Sequence, residues 1–138
     1  MSQRVTTGFV AGVIGALILI AVMYLLFLIG SGGLPGFVGI YRAIFASNGI
    51  VDQIISALGF ALAGGIWGLI FAYLVRKSTV LKGMAFGILP SLFLWLVIAP
   101  AIGNPLFNGF TVNGIVLPLV YNVLIWGSFV GWFCARRR

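Results

Sequence analysis

Four long apolar stretches, separated by short polar segments, dominate the pattern of this chain. They cover residues 8–30, 54–75, 83–103 and 115–135, and each has more than 20 residues. At about 1.5 Å per residue, a helix of that length crosses a hydrocarbon core of about 30 Å. The pattern therefore predicts an all-α, polytopic membrane protein, one transmembrane domain over residues 1–138 with four transmembrane helices arranged as two hairpins.

A shorter segment, residues 35–46, has a different pattern. Its apolar residues recur at helical spacing, with Arg42 as its only charged residue. It is too short to span a membrane. We expect a helix that lies in the interface between membrane and water, or a re-entrant segment. Asp52, which follows it, is expected to cap or complement the positive end of the second transmembrane helix.

The composition agrees with a membrane protein, because hydrophobic residues make up 62% of the chain and charged residues 7%. Asp52 is the only acidic residue, against eight Lys and Arg. Seven of these bases lie at the N-terminus, in the second loop and at the C-terminus, which share one side of a four-helix protein, and only Arg42 lies opposite. The positive-inside rule predicts that both termini are cytoplasmic. The seven bases are Arg4, Arg76, Lys77, Lys82, Arg136, Arg137 and Arg138.

Six of the seven bases form a candidate site for anionic lipid, because each base near a membrane surface adds about 1 kcal/mol to the binding of anionic headgroups. Trp132 lies beside them, where an interfacial aromatic belt is expected. The alternative is that the bases only set orientation during insertion. The pattern does not suit a nucleic-acid partner, which would need a basic face on a water-soluble fold. The six candidates are Arg76, Lys77, Lys82, Arg136, Arg137 and Arg138.

Glycines recur at four-residue spacing in every predicted span. This spacing places each pair on one helix face, where glycine allows two helix backbones to approach closely. Packing inside the four-helix bundle is the simpler expectation; the alternative gives one pair, such as that of the last helix, to a partner subunit. The pairs are Gly8 and Gly12, Gly64 and Gly68, Gly83 and Gly87, and Gly127 and Gly131.

The first and second halves of the sequence match each other at two places. The tripeptide Ile-Trp-Gly at 66–68 recurs at 125–127, an offset of 59, and the Gly-x-x-x-Gly pattern at 8–12 recurs at 83–87, an offset of 75. Such a match predicts two parallel repeats related by an axis along the membrane normal. Chance is the alternative, because glycine, leucine and aromatic residues are common in any membrane helix.

Three side chains are candidates for polar or ligand contacts inside the membrane. Trp67 and Trp126 lie about 14 Å inside the cytoplasmic boundary, at about 1.5 Å per residue. A buried indole N–H needs an acceptor, for which Tyr73, Asn122 or a carbonyl freed by Pro90 is suitable. Asn122 is also the most polar side chain in the predicted spans. Packing against glycine is the simpler role for the two indoles; a lipophilic ligand or pigment resting on them is the alternative.

Catalytic chemistry has little support in the sequence, which contains no histidine, no glutamate and one aspartate. Histidine metal ligation, carboxylate pairs and Ser-His-Asp arrangements are therefore excluded by composition. We expect no enzyme activity, no metal and no cofactor, although bound lipid is expected. Cys134 is the only cysteine, so no disulfide can form within the chain.

These features together resemble small bacterial four-helix membrane proteins of unknown function. The resemblance rests on the glycine-rich first helix and on residues 66–73, 82–87 and 122–131. Members of that group often have a histidine in the last helix, which this chain lacks. The resemblance implies the fold, but it assigns no activity and no site residues.

The small size and the absence of catalytic groups predict a non-catalytic accessory or scaffold subunit of a larger membrane complex. An energy-transducing complex in a bacterial inner membrane, or in a related membrane, is the expected setting. The alternative is a homo-oligomeric channel or carrier for a small neutral or lipophilic solute. That alternative depends on Asn122 and on the helix breaks expected at Pro90 and Pro118.

Overall fold

The computed structural model describes residues 3–30, 36–45, 49–103 and 105–136. Four helices in these ranges are long and apolar enough to cross a membrane, which confirms the all-α, polytopic membrane fold. They are α1 (Gln3–Leu28), α3 (Ile50–Leu74), α4 (Val80–Ala101) and α5 (Gly114–Arg136). The short helix α2 (Gly36–Phe45) lies between α1 and α3 in the chain.

The helices do not begin where the apolar stretches begin. Helices α1, α3 and α4 start three to five residues before the boundaries predicted from hydropathy, because helical hydrogen bonding does not end where the side chains become polar. Thr79 caps α4 by accepting a hydrogen bond from the Lys82 N–H at 3.1 Å. Thr111 accepts one from the Gly114 N–H, also at 3.1 Å, in the helical turn that leads into α5.

The first hairpin consists of α1 and α3, which pack along a seam of glycines. A methyl group on Gly68 would lie 2.8 Å from the Cα atom of Gly12, and one on Gly8 would lie 2.5 Å from the Gly68 carbonyl oxygen. A methyl group on Gly64 would lie 2.8 Å from the Gly12 carbonyl oxygen. Only glycine permits backbones this close, so these four residues set the separation of the two helices.

The second hairpin, α4 and α5, has a seam of the same kind. A methyl group on Gly127 would lie 2.5 Å from the Gly83 carbonyl oxygen, and one on Gly83 would lie 2.7 Å from the Cα atom of Gly131. One on Gly87 would lie 2.8 Å from the carbonyl carbon of Asn122. Both glycines of α5 are buried against α4, so this pair is used within the chain and not left for a partner subunit.

The internal sequence match relates the two seams. Gly8 faces Gly68 in the first hairpin, and Gly83 faces Gly127 in the second. The first pair becomes the second through the offsets of 75 and 59 found in the sequence. At this crossing the two hairpins therefore pack through equivalent positions.

Aromatic rings join α3 to α4. The Trp67 ring lies edge-on to Phe86 and Phe93, with centroids 6.1 and 5.8 Å away, and Phe71 lies edge-on to Phe86 at 5.2 Å. Phe86 also lies 6.3 Å from Trp126 of α5. Edge-to-face pairs of this kind are favourable, so a chain of rings connects the two hairpins.

Helices α4 and α5 are irregular where proline occurs. The α-helical part of α4 is interrupted at Gly87, three residues before Pro90, and α4 contains a π-helical segment at Leu94–Ile98. In α5, Pro118 comes two residues before a longer π-helical segment, Val120–Gly127. Proline removes a backbone donor, and a π-helix widens the turn by one residue. The break predicted at Pro90 thus takes the form of an interruption at Gly87.

Helix α2 packs against the N-terminal half of α3. Phe37 stacks on Phe60, with centroids 4.9 Å apart, and the Arg42 Nε lies 3.4 Å from the Asp52 Oδ2. Asp52 lies in the first turn of α3, as expected for a charge that complements the helix end, but Gly49 occupies the cap position. The aspartate is buried and forms an ion pair with Arg42, a contact that the sequence analysis did not predict.

Candidate functional site

A polar cluster joins α4 to α5 inside the apolar part of the protein. It consists of the Ser91 hydroxyl, the Asn122 amide and the Pro118 carbonyl. Asn122 Nδ2 donates to Ser91 Oγ at 3.0 Å, and Ser91 Oγ lies 3.3 Å from the Pro118 carbonyl oxygen and 3.4 Å from that of Gly87. Ser91 is fully buried and Asn122 is half-buried. In the absence of water, such bonds hold two helices in a fixed register.

The irregular backbone of α5 explains the position of this cluster. In an α-helix the carbonyl of one residue accepts from the N–H four residues later, and in a π-helix from the N–H five residues later. Pro118 lies just before Val120–Gly127, where this change of register occurs. Hydroxyl side chains commonly donate to backbone carbonyls at such breaks in membrane helices, and Ser91 has this role here.

A second bond between α4 and α5 also depends on proline. Trp95 Nε1 donates to the Gly114 carbonyl oxygen at 2.9 Å. Residue 118 would donate to that carbonyl in a regular helix, but Pro118 has no N–H. The sequence predicts that a carbonyl freed by Pro90 accepts a hydrogen bond from an indole. In the structure the proline is Pro118 and the indole is that of Trp95. Trp95 is not among the residues predicted from the sequence, although a glycine four residues before a proline, as at Gly114 and Pro118, indicates a carbonyl without its helical donor.

Trp126 inserts its ring into the glycine seam of the first hairpin. Its Nε1 donates to the Gly12 carbonyl oxygen at 3.2 Å, and only 3% of the residue is exposed. A methyl group on Gly15 would lie 2.9 Å from the indole Cδ1, and one on Gly64 would lie 3.4 Å from the Nε1. The acceptor for the Trp126 indole is therefore the Gly12 carbonyl oxygen in the seam of α1. It is none of the three acceptors predicted from the sequence.

Trp67 has a different environment, although the sequence match relates it to Trp126. It is half-buried, and its nearest aromatic neighbours are rings of α4. Phe86 stands between the two indoles, 6.1 Å from Trp67 and 6.3 Å from Trp126. Trp67, Trp126 and Asn122 thus lie at three different helix interfaces and do not form one ligand site.

The residues predicted to bind anionic lipid divide into two groups. Arg76, Lys77 and Lys82 lie together on one shallow, open surface that also includes Leu74 and Val75. This surface follows the end of α3.

The second group is at the end of α5. The Arg136 guanidinium lies 5.1 Å from the centre of the Trp132 ring, a cation–π contact. Arg137 and Arg138 lie outside the described residues.

Comparison with known proteins adds no family to these observations. The chain matches no protein-family model, no curated protein and no solved structure. Within the described ranges, no group of three His, Cys, Asp or Glu is placed to hold a metal ion. Function is therefore inferred from the geometry of this chain alone.

Proposed function

We propose that the protein is a non-catalytic accessory or scaffold subunit of a larger membrane complex. The observation that carries this proposal is a face of small residues on α3 that the described part of the chain leaves uncovered. Gly59 is exposed, and a methyl group there would meet no atom within 4 Å. Ala63, four residues later, is also exposed. Small residues at this spacing allow a second membrane helix to approach closely.

The use of polar groups in the interior supports a structural role. Four interior side chains each form a hydrogen bond with another helix: Asn122, Ser91, Trp95 and Trp126. These bonds fix α4 against α5 and α5 against α1. A rigid bundle of this kind can present the α3 face to a larger subunit in a constant orientation.

The proposed setting is an energy-transducing complex of a bacterial inner membrane or a related membrane. Seven of the eight bases lie at the ends that share one side of the bundle. This asymmetry supports an orientation with both termini in the cytoplasm.

Native separation in mild detergent tests the proposal. The parent should migrate with a stoichiometric larger partner, and Ala63→Leu should release that partner because the added carbons fill the small-residue face. Ala21→Leu is the matched control, because Ala21 is an exposed alanine of α1; it should leave the partner bound. A parent that migrates only as a small homo-oligomer would refute the proposal.

A second candidate is a homo-oligomeric channel or carrier for a small neutral or lipophilic solute. The observation that favours it is the half-buried amide of Asn122 within the π-helical segment of α5, since π-helical turns are frequent at functional sites. Flux of a neutral solute into proteoliposomes should then fall in Asn122→Leu. Flux that is absent in the parent, or unchanged in the variant, would count against this candidate.

A further inference from the structure

The indole N–H of Trp67 is a hydrogen-bond donor without an acceptor in the described part of the chain. Trp67 is half-buried, and its ring contacts are those with Phe86 and Phe93, at 6.1 and 5.8 Å. Its Nε1 is not among the enclosed polar atoms of the described residues, so it reaches the outside of the bundle. An unpaired donor in an apolar environment is unfavourable. This N–H is therefore available to a second molecule.

The repeat-related residue Trp126 shows how this chain satisfies an indole. Its Nε1 donates to the Gly12 carbonyl oxygen at 3.2 Å, and Gly12 belongs to α1, a helix of the other hairpin. The acceptor is thus a helix carbonyl beside a residue small enough to let the ring approach. Through the offset of 75, the corresponding acceptor for Trp67 would be the Gly87 carbonyl of α4.

Two differences between the repeats remove that acceptor. The offset of 75 places Phe86 and Ser91 of α4 where α1 has Ala11 and Ala16. The Phe86 ring fills the space between the two indoles, and the Ser91 Oγ lies 3.4 Å from the Gly87 carbonyl oxygen. The indole of α3 therefore packs against rings of α4 and not against a backbone carbonyl.

The depth of Trp67 limits what can supply an acceptor. It lies about 14 Å inside the cytoplasmic boundary, near the middle of a hydrocarbon core of about 30 Å. Phospholipid headgroups lie outside this core, and water is absent from it. A membrane-spanning helix has carbonyl oxygens at this depth.

The surface around Trp67 also suits a helix. Ala63 lies one turn before it on the same side of α3 and is exposed. Phe93 of α4, whose ring contacts Trp67, is 42% exposed. A second helix can approach closely at the alanine, which brings its backbone oxygens within reach of the indole.

We propose that Trp67 is the hydrogen-bond donor of the interface with the larger subunit, and that it donates to a backbone carbonyl on a transmembrane helix of that subunit. The acceptor lies beside a small residue near the membrane midplane, as the Gly12 carbonyl does for Trp126. The partner helix packs against Ala63 and the exposed edge of Phe93. This inference rests on the accessory-subunit proposal and adds the residue that fixes the depth of the partner helix.

Replacement of single tryptophans by benzothienylalanine tests the donor. This amino acid has a sulfur atom in place of the indole N–H and a ring system of nearly the same size. In the isolated protein, the change at Trp67 should leave the SDS concentration of half-unfolding unaltered, because no bond within the chain is lost. The same change at Trp126, the matched control, should lower it, because the bond to Gly12 is lost. Equal losses at both positions would show that Trp67 has an acceptor within the chain and would overturn the inference.

The effects on the complex should have the opposite order. Native separation over a series of detergent concentrations at which both variants remain folded measures the apparent dissociation constant of the larger subunit. This constant should rise about two- to tenfold for the Trp67 variant, the effect of one neutral hydrogen bond, and by less than about twofold for the Trp126 variant.

The outcomes separate this inference from the accessory-subunit proposal. If Ala63→Leu releases the larger subunit but the Trp67 variant retains it as the parent does, the inference is wrong and the accessory-subunit proposal stands. A parent that binds only a second copy of itself, or only lipid, would overturn both.

Discussion

Replacing Gly12 with alanine should weaken the first hairpin, whereas the same change at Gly59 should not. The methyl group of Gly12→Ala would clash with the Gly64 carbonyl oxygen and would lie 2.8 Å from its carbonyl carbon and 3.0 Å from the Cα atom of Gly65. These are backbone atoms, so no side-chain rotation relieves the overlap. Helices α1 and α3 would have to move apart along their seam.

The magnitude follows from two opposing effects. Overpacking a well-packed interface costs about 1–3 kcal/mol, and three backbone atoms within 3.0 Å favour the upper half of that range. Alanine recovers up to about 1 kcal/mol over glycine in helix propensity. We therefore expect Gly12→Ala to destabilise the protein by about 1–2 kcal/mol. Gly59→Ala meets no atom within 4 Å, so only the gain in propensity remains.

Unfolding by SDS in mixed micelles, followed by tryptophan fluorescence, can measure both changes in one detergent system. The two substitutions are chemically identical, and the expected changes in free energy of unfolding have opposite signs. A Gly12→Ala protein as stable as its parent would show that the seam is looser than described. Strong destabilisation by Gly59→Ala in the purified protein would show that the α3 face is covered.

Single substitutions can test two further contacts, that of Trp126 with Gly12 and that of Asp52 with Arg42. Trp126→Phe keeps a ring in the seam but removes the hydrogen bond to Gly12, so the free energy of unfolding should fall by about 0.5–1.5 kcal/mol. The control Trp132→Phe, at a position 44% exposed, should change the free energy of unfolding little. Asp52→Asn removes the buried charge that pairs with Arg42, at a cost of about 1–3 kcal/mol. Amide hydrogen exchange across α2 should become several-fold faster while that of α4 and α5 is unchanged. Equal acceleration everywhere would contradict a local role.

The spans could be predicted from the sequence because the length of an apolar stretch is a local property. The packing faces of the glycines could also be predicted, because a four-residue spacing places each pair on one face whatever the partner helix is. The residues that contact these faces could not be predicted. Trp126 reaches Gly12, 114 residues away in the chain, and that contact depends on how the two hairpins are placed against each other.

The sequence match also hides one structural difference between the hairpins. Gly12 lies against Gly64, and its equivalent, Gly87, lies against Asn122. The two partners, Gly64 and Asn122, are 58 positions apart in the chain. Gly68 and Gly127, one turn further along, are 59 positions apart. The π-helical segment Val120–Gly127 contributes the extra residue. Asn122 therefore occupies the place of a seam glycine, which a residue-by-residue comparison cannot reveal because the helical turns differ.

The bond from Trp95 to Gly114 should depend on Pro118, and a double-mutant cycle can measure that dependence. Trp95→Phe removes the indole donor, which lies 2.9 Å from the carbonyl oxygen, and should cost about 0.5–1.5 kcal/mol. Pro118→Ala gives α5 a backbone N–H at the position from which a regular helix donates to Gly114. In the Pro118→Ala background, the cost of Trp95→Phe in SDS unfolding should therefore be smaller by about 0.5 kcal/mol or more. Strictly additive costs would mean that the new N–H does not reach Gly114, and that the indole does not compensate for the donor that proline lacks.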